Sequence, residues 1–335
     1  MGVVPQIPTL GTEMTSIVPR IRTVFPAAVE LYHQLDGAFL FTDRYIRGVL
    51  HHPRTMIRKG TDRVNAGEEI ADARFFVAQA FEKNWIDARP RSGKVGGAYC
   101  ISLPLSAESR ILSNFSGNFG DVKTLAHELG HAYHYYVLRR SPHVFRQYPM
   151  TLAETASIFA ESVVIDGALS EVKGTATLPI VEKSLQDSTQ VIVDILSRFK
   201  FERAVMERRE KGELSAQELC RLMEEAQQEC YGQGLNQREL HPYMWAVKPH
   251  YYRTELSFYN FPYAFGQLFG LGLFQRYLDE GAAFVPVYRD LLARTGGESA
   301  VQLSRRAGFD IESPDFWRRG IALIKDRVDQ FMAIV

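Results

Sequence analysis

Residues 121–134 read Asp121-Val122-Lys123-Thr124-Leu125-Ala126-His127-Glu128-Leu129-Gly130-His131-Ala132-Tyr133-His134. Val122, Leu125, Ala126, Leu129 and Ala132 recur at three- and four-residue spacing, the period of a helix with one buried face. Inside that run stands H-E-x-x-H. Side chains four apart share a helical face, so the imidazoles of His127 and His131 can converge on one ion. The helical repeat turns Glu128 about 100° from His127, beside the ion rather than on it. Two imidazoles and a carboxylate buried together are costly unless a charge or hydrogen bonds satisfy them, and a metal answers that cost. The donor set suits one zinc ion per chain, which with three protein ligands keeps a position for water and lowers that water's pKa to about 7. Glu128 is then the general base. The bland alternative is a chance match, because three fixed positions in five recur in unrelated helices.

The third ligand must come from elsewhere. The extended pattern HExxHxxGxxH is absent, since His134 and Val137 stand where it needs glycine and histidine. A glutamate on a following helix is the other standard solution. Thr151-Leu152-Ala153-Glu154-Thr155-Ala156-Ser157-Ile158-Phe159-Ala160-Glu161 offers two, seven residues apart and so on one face. Thr151 and Glu154 equally have the form of a capping box, worth about 1 kcal/mol. Spacing alone leaves Glu154 open between ligand and cap. Glu161 is then a partner for a ligand histidine or a solvated helix residue. His134, three after His131, is open between a partner behind the site and a surface or core histidine, with the latter favoured.

Helical periodicity also covers 26–50, 68–85, 121–140, 151–168, 178–230, 263–280 and 315–334. Strand signals concentrate between Pro90 and Gly120, where 96–103 and 109–115 read as two adjacent strands or a hairpin. The expected class is mainly α, of α+β type, with a small sheet. A linker is expected at 52–67, separating a helical extension over 1–60 from a larger unit over 61–335. Residues 202–213, rich in Glu, Arg and Lys, read as a solvated helix face.

Composition narrows the partners. Lys plus Arg equals Asp plus Glu, 39 each in 335 residues, so no global field favours nucleic acid or an anionic membrane. Cys100, Cys220 and Cys230 form neither a CxxC pair nor a disulfide framework, which suits a reducing compartment. Met1 to Gln6 show no secretory pattern, and the apolar stretch 261–274 is interrupted by Gln267 and too short for a bilayer. The expectation is a soluble, cytoplasmic protein with no nucleic-acid or membrane partner. The sequence assigns no oligomeric state.

Three separated blocks, in order, resemble the oligoendopeptidase F family of thimet oligopeptidase-like zinc metallopeptidases. They are Gly93 to Cys100 with Asn114 to Asn118, then Asp121 to His134 with Pro149 to Ser157, and finally Trp245 to Tyr252 with Ser257 to Gly266. The resemblance covers roughly residues 68 to 335. It implies a zincin-like helical metallopeptidase domain with the sheet next to the active-site helix, and it makes 61–335 the catalytic domain. It favours Glu154 as the third metal ligand, because the family's glutamate precedes a serine by three. It implies that His250 and Tyr259 donate hydrogen bonds to the substrate oxyanion, with Tyr252 and Tyr263 lining the substrate. A tyrosine common in relatives two residues after Tyr259 is Phe261 here. Phe258, Phe261 and Phe265 read as an aromatic core. Substrate in such enzymes resembles an added strand, for which Gly97-Ala98-Tyr99-Cys100 or Asn114-Phe115-Ser116-Gly117 would supply the edge, with Gly97, Ala98 and Tyr99 taken as substrate-binding. The long N-terminal lobe of relatives is read as shortened or missing.

The expectation from all of this is a zinc endopeptidase acting on internal bonds of short unstructured oligopeptides. Two rivals stand beside it: a peptide-binding protein that keeps the zinc site with weak or no turnover, and a hydrolase of non-peptide amides.

Overall fold

Asn118 caps the helix that carries H-E-x-x-H. Asn118 has extended backbone, its side chain accepts from the Asp121 N–H, and the Asp121 carboxylate accepts from the Asn118 N–H in return. This capping box satisfies two end donors at once, so the helix, α1, runs Phe119–Leu138. The computed structural model describes residues 76–232, 234–236, 238–254 and 258–334. The expected extension over 1–60, the helix over 26–50, the 52–67 linker and Ser257 lie outside the described residues. Of the helix expected over 68–85, residues 76–82 are described and helical.

The hairpin is present and shorter than expected. Strands β1 (Ile86–Asp87), β2 (Tyr99–Leu103) and β3 (Glu108–Leu112) form a sheet in the order β1-β3-β2. β2 and β3 are antiparallel, with Cys100 opposite Ile111 and Leu103 opposite Glu108, and β1 pairs β3 in parallel. The two-residue β1 was not anticipated, because so short a segment shows no period. β2 is an edge strand whose outer side pairs with nothing among the described residues. The sheet packs on the apolar face of α1, where Trp85, Ile111, Phe115, Val122, Leu125 and Leu129 share one core.

α2 (Thr155–Glu171) follows a single 3-10 turn, Met150–Leu152, and crosses α1 closely. The expected Thr151–Glu154 capping box does not form. Glu154 occupies the cap position but makes no cap bond, because its carboxylate turns toward α1. The crossing depends on Gly130: a Cβ there would stand 2.5 Å from the Ala156 carbonyl oxygen and 2.6 Å from Ser157 Cα. Alanine ordinarily gains about 1 kcal/mol over glycine inside a helix. Here the obstructing atoms are backbone and cannot rotate away, so overpacking wins. Gly130→Ala is expected to lower stability by about 1–3 kcal/mol, read as a lower urea midpoint. A raised midpoint would refute the close crossing.

The segment expected to be helical over 178–230 is broken. α3 (Leu178–Thr189) passes through a π turn, Gln190–Asp194, into α4 (Ile195–Arg209), and α5 (Ala216–Tyr231) starts afresh at a Ser215–Glu218 capping box. The solvated face begins one residue late: Arg203 and Glu207 are exposed, but Glu202 is buried and accepts from the Asn260 side chain. α6 (Phe261–Glu280) lies along α2, and α7 (Phe284–Ala293), α8 (Ala300–Arg306) and α9 (Pro314–Met332) build a second core with it around Phe269, Leu273, Phe284 and Phe316. Phe265 packs on this core as expected, whereas Phe261 is 40 % exposed. It is the first residue of α6 and faces outward, ahead of the buried middle of the helix. No helix of the described residues is long and apolar enough to cross a membrane.

Candidate metal centre

Three potential ligand atoms meet between α1 and α2. His127 Nε2 and His131 Nε2 lie 3.1 Å apart, and Glu154 Oε2 is 3.2 Å from the first and 3.4 Å from the second. A tetrahedral ion with bonds of about 2.0–2.2 Å holds its ligand atoms about 3.3–3.6 Å apart, so this triangle fits zinc with little adjustment. The imidazole planes cross at 83°, which lets both Nε2 atoms point inward without stacking. His127, His131 and Glu154 are the group among the described residues that could hold a metal ion.

Glu161, seven residues after Glu154, stands behind His127. Its Oε1 is 2.6 Å from His127 Nδ1, and its Oε2 is 3.0 Å from Lys123 Nζ. This fixes the tautomer that leaves Nε2 for an ion, the usual duty of a carboxylate behind a ligand histidine. Lys123 in turn pairs with Asp187 of α3. Burial opposes a charge on His127, yet the hydrogen bonds to Glu154 and then Glu161 outweigh it and raise its pKa to about 10. Burial likewise works against ionised Glu154, and the two histidines outweigh it and hold its pKa low. The pocket therefore favours positive charge between the imidazoles.

Glu154 is held from three sides. Ser157 Oγ donates to its Oε2 at 2.9 Å, Tyr259 Oη donates to its Oε1 at 3.1 Å, and Gly266 of α6 admits its Cβ, where another side chain would meet it at 2.5 Å. Lys123 was not singled out from sequence, and Ser157 entered only as the residue that marks the family's glutamate. Their signals were available: Lys123 precedes His127 by four on the same face, and Ser157 follows Glu154 by three. Glu128, adjacent to His127, is buried, and burial raises its carboxyl pKa against the opposing pull of His127 and His131. Cys100 lies near enough to feel its charge, and burial first, then Glu128, pushes that thiol up to about 12.

The later segment divides. Tyr259 reaches the cluster, and Tyr263, with its ring 5.2 Å from that of Tyr259, has a pKa raised to about 12 by burial, then by Glu154 and Glu128. His250 packs its ring against Tyr251, and its Nδ1 is buried without a hydrogen-bond partner. Burial, then Arg198, Lys248 and Arg253, lowers its pKa. Tyr252 is exposed and donates to the Trp245 carbonyl. Below them Asn260, buried beside Tyr259, joins Arg198, Glu202 and Tyr251, and Arg198 pairs with Asp194 of the π turn. Gly97 (φ +81°), Ala98 and Tyr99 lead into the edge strand, with Asn114 Nδ2 donating to the Gly97 carbonyl at 3.1 Å. His134 is a core residue, fully buried and 2.8 Å from Thr295 Oγ1.

The profile described as Peptidase family M3 matches residues 66–323. Over 262 residues the chain is 29% identical to a Lactococcus lactis subsp. lactis protein named oligoendopeptidase F homolog, covering 77% of this chain and 43% of that one. Over 267 residues it is 25% identical to oligopeptidase PepF of Bacillus subtilis, covering 79% and 39%. The chain thus spans less than half the length of these relatives. A crystal structure of a candidate peptidase from Chlamydophila abortus shares the fold, with TM-score 0.71 at 24% identity over 89% of this chain and 47% of that one.

Proposed function

This chain belongs to peptidase family M3, and from that premise we propose that it is a zinc-dependent endopeptidase cleaving internal bonds of short, unstructured oligopeptides. The observation that carries the reading is the triangle of His127, His131 and Glu154 ligand atoms, 3.1–3.4 Å on a side, with buried Glu128 next to it. The catalytic unit in this reading runs over 61–335.

His127, His131 and Glu154 would hold the zinc, whose Lewis acidity polarises a carbonyl and acidifies water. Glu128 takes the proton of the attacking water and returns it to the leaving nitrogen. Its burial, which raises its pKa, favours that return. Tyr259, already at the cluster, donates to the oxygen that gains charge. His250 is the second donor in this reading, its turn tied to Tyr259 through the Phe258 N–H and the His250 carbonyl. Glu161, backed by Lys123, keeps His127 oriented. The free edge of β2, entered through Gly97, Ala98 and Tyr99, receives the peptide backbone as an added strand, with Tyr252 and Tyr263 along its path.

The test is to count zinc per chain and follow a quenched peptide before and after chelation. One zinc, internal cleavage, and loss of both on chelation are expected. Zinc and peptide affinity without cleavage would replace this reading with a peptide-binding protein. Cleavage of small acyl amides but of no peptide would replace it with a different hydrolase.

A further inference from the structure

β2 and α1 run side by side in the same direction. Near the start of β2, Cys100 feels the charge of Glu128; near its end, Ser102 and Leu103 stand beside Arg139, which follows the last turn of α1. His127, His131, Tyr135 and Arg139 succeed one another at four-residue spacing, a row that winds gradually around α1, about 40° per step. The eight residues from His131 to Arg139 rise about 12 Å. There the surface opens into a cavity of about 260 Å³ between the β2–β3 turn, the end of α1 and the segment around His143 to Gln147.

Its wall carries Arg139 and Arg146, and neither has a carboxylate partner among the described residues. Arg139 donates to the Tyr136 carbonyl and lies over the Tyr136 ring, and Arg146 Nε donates to the Ser141 carbonyl at 2.9 Å. A guanidinium has five donors in a fork that matches a carboxylate, so both retain donors for a ligand. His143 adds an exposed imidazole. The one acidic residue of the wall, Glu108, is matched by Arg110 at 2.9 Å and Lys83 at 3.6 Å. The cavity is net basic in a protein without net charge.

An extended peptide advances about 3.3 Å per residue. Laid along the free edge of β2 from the metal centre, it would reach this cavity about four residues from the cleaved bond. We infer that the cavity is a subsite for a carboxylate on the substrate at that distance, gripped by Arg146 and Arg139. The inference rests on the oligopeptidase reading above. An acidic side chain and a free C-terminus present the same chemistry.

The experiment uses the zinc-loaded full chain and quenched peptides that differ only by Glu or Gln at the fourth residue on either side of the cleaved bond. A further pair ends at the fourth residue after the bond, with a free or an amidated C-terminus. Each is read as kcat/KM and as binding by fluorescence anisotropy. A carboxylate bonded to arginine should favour one member of a pair about tenfold. The Glu/Gln arm marks a side chain as the source, and the free/amide arm marks a C-terminus. That ratio should fall to near one in Arg146→Met and below one in Arg146→Glu. Arg139 is left in place because it also closes α1. Ratios near one for every pair in the unaltered chain would overturn the subsite, as would a preference untouched by both Arg146 variants. If no peptide is cleaved, the oligopeptidase reading fails, and the anisotropy ratios still decide the subsite.

Discussion

Glu128→Gln will leave the fold and the zinc content of the chain intact and lower kcat/KM for peptide cleavage by about 10²–10⁴-fold, the span of a lost general base. The argument is geometric before it is electrostatic. Glu128 is one residue past His127, so it lies beside the triangle rather than in it, and the triangle is made by three other side chains. Glutamine keeps the size and the buried packing but can neither accept the water's proton nor return it. Circular dichroism and zinc counts control for structure. Equal cleavage by the variant and the unaltered chain would remove Glu128 from the mechanism.

Glu154→Gln will weaken zinc binding more than Glu161→Gln does, and the second change alone should cost about 10–100-fold in affinity. Glu154 Oε2 is within 3.4 Å of both Nε2 atoms, whereas Glu161 reaches only the far nitrogen of His127. Removing the Glu154 charge therefore takes away both a ligand and the counter-charge of the site. Glutamine preserves a carbonyl oxygen for Ser157 and Tyr259, so a loss of affinity reports the charge and not a collapsed pocket. The check is zinc titration against a competing chelator. Unchanged affinity in Glu154→Gln, or the reverse ranking of the two variants, would return Glu154 to a structural role.

Glu154 also shows where sequence reading stops. Its spacing from Thr151 suited a helix cap, and its position before α2 does suit one, yet the carboxylate turns to the imidazoles of His127 and His131 instead. Local hydrogen-bond patterns could not weigh a capping bond of about 1 kcal/mol against two imidazoles that the chain brings close from 23 and 27 positions away. Glu202 repeats the lesson. It sits in a charged run and looked solvated, but Asn260, 58 residues on, takes it into the interior.

Periodic information was enough for the helix bearing His127 and His131, for the hairpin beside it, and for Glu128 as the carboxylate between two histidines, since each follows from repeats of a few residues along one element. The depth of the α1–α2 crossing at Gly130, the Lys123–Glu161 support of His127, and the cavity between Arg139 and Arg146 were decided only when elements packed. Contacts of that kind depend on the positions of atoms far apart in the chain, and no local period encodes them.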